Sequence, residues 1–314
     1  MQNKRLHSLL LVLISIGILL ALIYYLYYNA DHYHNLLNVS ALDVFWLFVV
    51  SFAFQLFNSI QNTYVYRAIS SPRFSQRDGF LLTTASSLAN QLPLPGGIAT
   101  RGFYLKRRYN LSYAKFASST IALFFLFLAV NGFVGLGVLS YWTLFQKTGT
   151  FIILWVGNLF MLAGLLVFQI PISRITIPEK LRKPVEQAIE GWHLIGANSR
   201  LIGQIISLQS VLIVLLAIRY WLAFHMLSQN ITIGQALLFA SVTSLTQLVN
   251  ILPGGLGARE ALVGSVAAVM GVDPVISIAA VSLERLVTTA MIVLTGGVST
   301  IIIGKQLAEN TLDH

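Results

Sequence analysis

Apolar residues run along this chain in blocks long enough to cross a bilayer, separated by short polar segments. A span needs about 20 predominantly apolar residues. The stretches at roughly 8–28, 42–66, 114–142, 150–171, 201–226 and 274–303 meet that need. Two more apolar stretches, about 79–109 and 234–271, are each interrupted by Pro-Gly-Gly. Proline and glycine end a helix, so each of these is a broken span or a re-entrant hairpin. The first apolar run follows Lys4 and Arg5 as a signal peptide would. It is too long for such a peptide and lacks a small-x-small site where Tyr28-Asn29-Ala30 stands, so it reads as a retained first span.

The two interruptions are copies of one stretch. Leu94-Pro95-Gly96-Gly97-Ile98-Ala99-Thr100-Arg101 recurs as Leu252-Pro253-Gly254-Gly255-Leu256-Gly257-Ala258-Arg259. The offset is the same for proline and arginine, 253 − 95 = 259 − 101 = 158. Broken helices at corresponding positions of two halves point to a transporter's substrate site. In lipid, irregular backbone is tolerated only inside protein or beside a water-filled cavity.

Composition agrees with this class. Of 314 residues 56% are hydrophobic and only 10% charged, and the mean hydropathy is +0.76, outside the range of soluble domains. The net charge of +9 raises the question of a nucleic-acid partner. The basic residues fall in inter-helix loops, with no zinc finger, basic helix or aromatic platform beside them, and no nucleic-acid binding is expected. The absence of cysteine excludes disulfides, thiolate metal sites and a cysteine nucleophile.

The placement of the basic residues decides the topology. Let both interrupted stretches be hairpins that leave on the side they enter, with a cytoplasmic N-terminus. Then Arg67, Arg73, Arg77, Lys106, Arg107, Arg108, Lys115, Arg174, Lys180, Arg182, Lys183, Arg200 and Lys305 join Lys4 and Arg5 at the cytoplasmic face. Lys147 alone stays in an outer loop, beside Asp31, Asp43 and Asp273. Any other assignment of crossings destroys this bias. The expected fold is therefore an all-α integral membrane protein of six transmembrane helices and two re-entrant helical hairpins in an inverted repeat. It forms a single polytopic domain over 1–314, with repeat one at about 1–145 and repeat two at about 150–304, and both termini cytoplasmic. Around 172–200, Val185, Ala188, Ile189, Trp192 and Ile195 recur at helical spacing after Pro184. This is either an amphipathic helix on the inner leaflet or a linker packed beneath the bundle.

Candidate chemistry gathers at the breaks. The helix that begins after each Pro-Gly-Gly has unpaired first N–H groups and a positive dipole end, which suit an anion. Arg101 and Arg259 lie within about its first turn, and a guanidinium fork grips phosphate through two hydrogen bonds. The alternative is that the glycines serve tight packing and the arginines pair with carboxylates or snorkel. Glu260 follows Arg259, and Glu284 and Arg285 lie within the last span. The pairings Arg259 with Glu284, or Glu260 with Arg285, would be static glue or a proton-responsive switch. The first copy lacks both acids, with Gly102 and Leu126 in their places. In the second span Gln55, Asn58, Ser59, Asn62 and Tyr66 share one helical face, serving interhelical hydrogen bonds or a headgroup route. Asn90, Gln91, Thr243, Thr246, Gln247 and Asn250 invite the same two readings, and Arg219 reads as snorkelling. No enzyme motif appears; the scattered histidines offer at most an adventitious metal at His32 and His34. No catalytic residue, cofactor or metal is expected.

The segment Asn90–Tyr109 and, more specifically, Pro253, Gly254, Gly255, Gly257 and Glu260 in Pro-Gly-Gly-x-Gly-x-x-Glu resemble the flippase-like transmembrane domain of lysylphosphatidylglycerol synthases. The resemblance covers nearly the whole chain. It implies movement of a lipid, aminoacylated phosphatidylglycerol in the best-known members, between leaflets of a bacterial or archaeal plasma membrane. It also departs from those members, which carry a C-terminal synthase domain, so this chain is not expected to make the lipid; stand-alone relatives are also associated with polyprenyl-linked sugars and other envelope lipids. The expected function is a flippase-like transporter of an anionic or aminoacylated lipid. Its substrate site would comprise Pro95, Gly96, Gly97, Arg101, Pro253, Gly254, Gly255, Gly257, Arg259, Glu260, Glu284 and Arg285. The alternatives are a non-transporting scaffold for envelope-lipid or glycan enzymes and an intramembrane lipid-phosphate enzyme. Expected partners are the bilayer and a phosphate-headgroup lipid, with a lipid-modifying enzyme or a second copy of the chain as further options.

Overall fold

The computed structural model describes residues 39–91, 96–146, 151–163, 193–249 and 257–312, and all regular structure among them is helical. The helices are α1 Ala41–Ile69, α2 Gln76–Ala89, α3 Gly96–Tyr109, α4 Tyr113–Tyr141 and α5 Ile152–Ala163. They continue with α6 Ser199–Met226, α7 Ile233–Thr243, α8 Ala258–Val269 and α9 Pro274–Leu312. Helices α1, α4, α6 and α9 are long and apolar enough to cross a membrane, and they fall on the spans expected at 42–66, 114–142, 201–226 and 274–303. The span expected at 8–28 lies outside the described residues, as does most of the 172–200 connection. Of the span expected at 150–171, α5 is described.

The starts of these helices are written in the sequence. Ser40, Ser75, Ser112 and Asn198 cap α1, α2, α4 and α6 by accepting a backbone N–H two or three residues on. Thr232 and Gln235 form a capping box at α7. The long helices then bury polar residues and expose apolar ones. On α1, Leu42, Phe45, Trp46, Val49, Phe52 and Leu56 point outward while Ser51, Gln55, Ser59, Asn62 and Tyr66 are buried. Exposed large side chains also mark α4, α5, α6 and α9. An apolar surface of this extent is stable in lipid rather than water. The chain is a multi-pass membrane protein.

Each interrupted stretch folds back on itself. In the first, Gly97 at the start of α3 donates to Asn90 Oδ1 just past α2 at 2.8 Å. Tyr109 at the far end of α3 donates to Asp78 near the start of α2 at 3.1 Å. The two helices are thus antiparallel, a hairpin rather than one broken rod. Gly96 and Gly97 permit the close approach, since a Cβ on either would run into Ala89 or Asn90. In the second, Thr243 at the end of α7 and Arg259 at the start of α8 both bond Tyr220, so their turn ends meet on α6.

Four described helices of each half correspond in order, α1 with α6, α2 with α7, α3 with α8 and α4 with α9. Helices α1 and α6 start at 41 and 199, and 199 − 41 = 158, the offset of the repeated motif. These corresponding helices lie side by side and run antiparallel. Asp43 approaches His225 at 3.9 Å near one end, and Gln61 donates to Ile205 O at 3.3 Å and Gln209 at 3.2 Å near the other. The halves also exchange partners. Helix α9 packs on α2 and α4 packs on α7, through Thr84 to Ser299 at 2.7 Å and Ser241 to the Asn131 carbonyl at 2.6 Å. Small residues let these helices close in, as Gly296 does over Thr84 and Leu88 and Gly135 over Asn158 and Ser241.

Candidate functional site

The charged residues expected at the second break come together, whereas the first break contributes only Arg101. Arg259, one residue into α8, projects to α6 and α9. Its Nε donates to the Tyr220 hydroxyl at 2.7 Å, and its guanidinium lies 5.1 Å from the centre of that ring. Its Nη2 stands 3.1 Å from Glu284 Oε2. Glu284 is fully buried on α9, and its other oxygen accepts from Arg219 Nη2 on α6. Arg219 also donates to Thr288 at 2.6 Å and lies 5.0 Å from the ring centre of Phe54 on α1. The next residue of α9, Arg285, pairs with Glu260 at 2.8 Å.

Both sequence-level pairings, Arg259 with Glu284 and Glu260 with Arg285, therefore form together. Adjacent residues on a helix diverge by about 100°, which is how Glu284 reaches one partner and Arg285 the other. The reading of Arg219 as a snorkelling residue is corrected, because it is 3% exposed and bonded to Glu284. Tyr220 and Thr288 escaped the sequence reading altogether. The signal for Arg219 was available: an ionisable group inside a span is functional or paired by default, and Thr288 lies one turn from Glu284.

In the first half, Arg101 rests against the Tyr66 hydroxyl of α1, and its Nε is buried without a hydrogen-bond partner. It forms no ion pair among the described residues. Each motif arginine thus leans on a tyrosine from the long helix that precedes its hairpin. Pro95, Pro253, Gly254 and Gly255 lie outside the described residues.

The helix ends are less open than the sequence suggests. Asn90 occupies the Gly97 N–H, and Glu260 Oε2 accepts the Gly257 N–H at 2.9 Å, closing half of a capping box. Gly257 has φ +81°, a left-handed conformation that disfavours any side chain. At these helix ends two of the backbone amides are thus already occupied, and the arginines are the cationic groups beside them.

The polar face of α1 serves helix contacts. Gln55 donates to Ser87 and Asn62 to Thr83, each at 3.2 Å, joining α1 to α2. A separate apolar groove of about 570 Å³, lined by Gly137, Tyr141, Trp142, Ile233 and Gly234, opens between α4 and α7, and none of the charged residues lines it. No cluster of His, Cys, Asp and Glu suited to a metal occurs among the described residues.

The sequence model of one family, described as the lysylphosphatidylglycerol synthase TM region, matches residues 12–296. No curated protein and no solved structure matches the chain.

Proposed function

The chain belongs to the family of the lysylphosphatidylglycerol synthase TM region, and from that premise we propose that it moves an anionic or aminoacylated lipid between the leaflets of a prokaryotic plasma membrane. One observation carries the reading: each half places one arginine, Arg101 or Arg259, within the first two turns of the second leg of its hairpin, each with one buried guanidinium nitrogen that makes no hydrogen bond, Arg101 Nε and Arg259 Nη2, the latter facing Glu284. Buried, unsatisfied cationic donors suit a phosphate headgroup.

The architecture we propose around this pair is six spans and two re-entrant hairpins in an inverted repeat, within one polytopic domain and with both termini cytoplasmic. The antiparallel run of α1 and α6 at the motif's own offset supports inversion. The packing of each half's last long helix on the other half's hairpin supports alternating access by rocking one repeat against the other. Basic residues at the α1 end, the α2 start, the α3 end and the α9 end support a cytoplasmic face there. We read the chain as a transporter rather than an enzyme, since Glu260 and Glu284, the acids available as a base, are both committed to arginines.

The test uses proteoliposomes and headgroup-labelled phosphatidylglycerol, lysylphosphatidylglycerol and a polyprenyl phosphate. Leaflet exchange of one of them by the wild-type protein, lost in Arg101→Ala and in Arg259→Ala, is the expected result. Exchange at wild-type rate in both variants would remove the arginines from the site. No exchange of any lipid by folded protein, with and without an imposed proton gradient, would leave the scaffold reading in its place.

A further inference from the structure

The second half holds more charge than an anion site needs. Arg219, Arg259 and Arg285 face Glu260 and Glu284, three cations against two anions, so the cluster carries one net positive charge. The corresponding first-half positions, 158 residues earlier, hold Gln61, Arg101, Phe127, Gly102 and Leu126, also with one positive charge. The additional arginines and acids of the second half cancel one another.

The contacts within the cluster are unequal. Glu284 is anchored through Oε1 by Arg219 and accepts from Thr288 at 3.1 Å. Toward Arg259 it presents Oε2 at 3.1 Å, yet neither that oxygen nor Arg259 Nη2 makes a hydrogen bond. Arg259 takes its directional bond from Tyr220 instead. The Arg219–Glu284 contact is thus a hydrogen-bonded ion pair, and the Arg259–Glu284 contact is an ion pair without a directional hydrogen bond.

We propose that Glu284 is a tethered substitute for the ligand's phosphate. It neutralises Arg259 while the site is empty, and an incoming monoanionic headgroup displaces it from Arg259 while Arg219 and Thr288 retain it. This rests on the reading of Arg259 as a headgroup ligand, and it adds the regulation of that site. A guanidinium left alone at membrane depth is costly, and an internal anion removes that cost in the empty state. The same anion competes with the ligand, so the second site binds more weakly than its arginine alone would and releases sooner. The first site, where Arg101 has no acid partner among the described residues, has no such competitor among them.

The experiment uses the full chain in detergent, with Arg101→Ala as background so that the second site is read alone. The probe is dihexanoyl phosphatidylglycerol, with dihexanoyl phosphatidylcholine as headgroup control. The variant Arg219→Gln/Glu284→Leu copies Gln61 and Leu126 and preserves the net charge. It is expected to bind the phosphatidylglycerol probe tighter by about tenfold or more, since a full charge near 4 Å is removed from Arg259. Adding Arg259→Ala should abolish that gain. Unchanged or weaker binding by folded double variant overturns the exchange. Should that variant not fold, the isosteric Glu284→Gln makes the same prediction, with tightening expected and its absence decisive. The two ideas fail separately: if Arg259→Ala alone leaves probe binding unchanged, the headgroup site is wrong, whereas if it weakens binding and the Glu284 variants do not tighten it, only the exchange is wrong.

Discussion

At the open end of the first hairpin, Asp78 accepts from Tyr109 and Tyr104 at 3.1 and 3.4 Å, and the last turn of α3 carries Lys106, Arg107 and Arg108. The corresponding residues of the second hairpin are Ala236, Ala267, Leu262, Gly264, Ser265 and Val266. At the turn the contrast reverses: Arg101 has Tyr66 beside it, while Arg259 meets Tyr220, Glu284 and, through Glu284, Arg219. The first hairpin is charged where it opens and the second where it turns. If the halves are inverted, the first opens toward the basic cytoplasmic face and the second toward the outer one. The membrane then imposes charge on the first base and forbids it on the second. On the proposed reading, charge at the turns answers to a different demand, the ligand and its neutralisation. The two copies would then have diverged under two separate electrostatic pressures.

This contrast can be broken experimentally. The largest effect is expected for Glu284→Ala, which leaves Arg219 and Arg259 facing each other without an anion and should cost about 3–5 kcal/mol. Unfolding in mixed micelles would measure it. Next come the small residues of the exchanged packing. Gly296→Ala, whose Cβ would sit 2.7 Å from the Thr84 carbonyl oxygen and from Leu88 Cβ, should cost about 1–3 kcal/mol, and Gly135→Ala a comparable amount in the other half. A much larger loss at one site than at the other would show that the halves do not share the packing load. Arg101→Ala removes a cation that has no acid partner among the described residues, so it should shift stability by only about 1 kcal/mol while, on the proposed reading, abolishing leaflet exchange. Smallest is Asn62→Ala at about 0.6 kcal/mol, the average for an interhelical polar contact in a membrane protein. A cost there as large as that of Glu284→Ala would erase the distinction between a merely polar half and a charged one.

Much of this was legible in the sequence, because a bilayer enforces simple rules. The long helices α1, α4, α6 and α9 follow directly from apolar run length. Both ion pairs followed from the scarcity of charge at membrane depth, since few partners exist for Arg259 or Arg285. The polar stripe from Gln55 to Tyr66 followed from helical spacing, and its hydrogen bonds to α2 resolve a choice that spacing alone left open. What remained hidden depends on which helices touch. Nothing local to Arg219 says that α9 crosses it at Glu284 and Thr288. The occupation of the Gly97 N–H by Asn90 depends on how tightly the hairpin turns. Even so, the offset that relates Arg101 to Arg259 also relates Gln61 to Arg219, and this places Arg219 on a helix-contact face rather than at the surface.

Helix α9 has 39 residues, which at 1.5 Å per residue is about 58 Å, nearly twice the roughly 30 Å hydrocarbon thickness of a bilayer. It touches the second hairpin through Glu284 and Arg285, the first through Ser299 near its middle and again at its base, where Tyr104 meets Gln306 at 3.4 Å. A rod joined at three heights to both hairpins couples one to the other. If Arg259 lets go of Glu284 as proposed, a tilt of α9 there would be carried to the opposite end near Gln306.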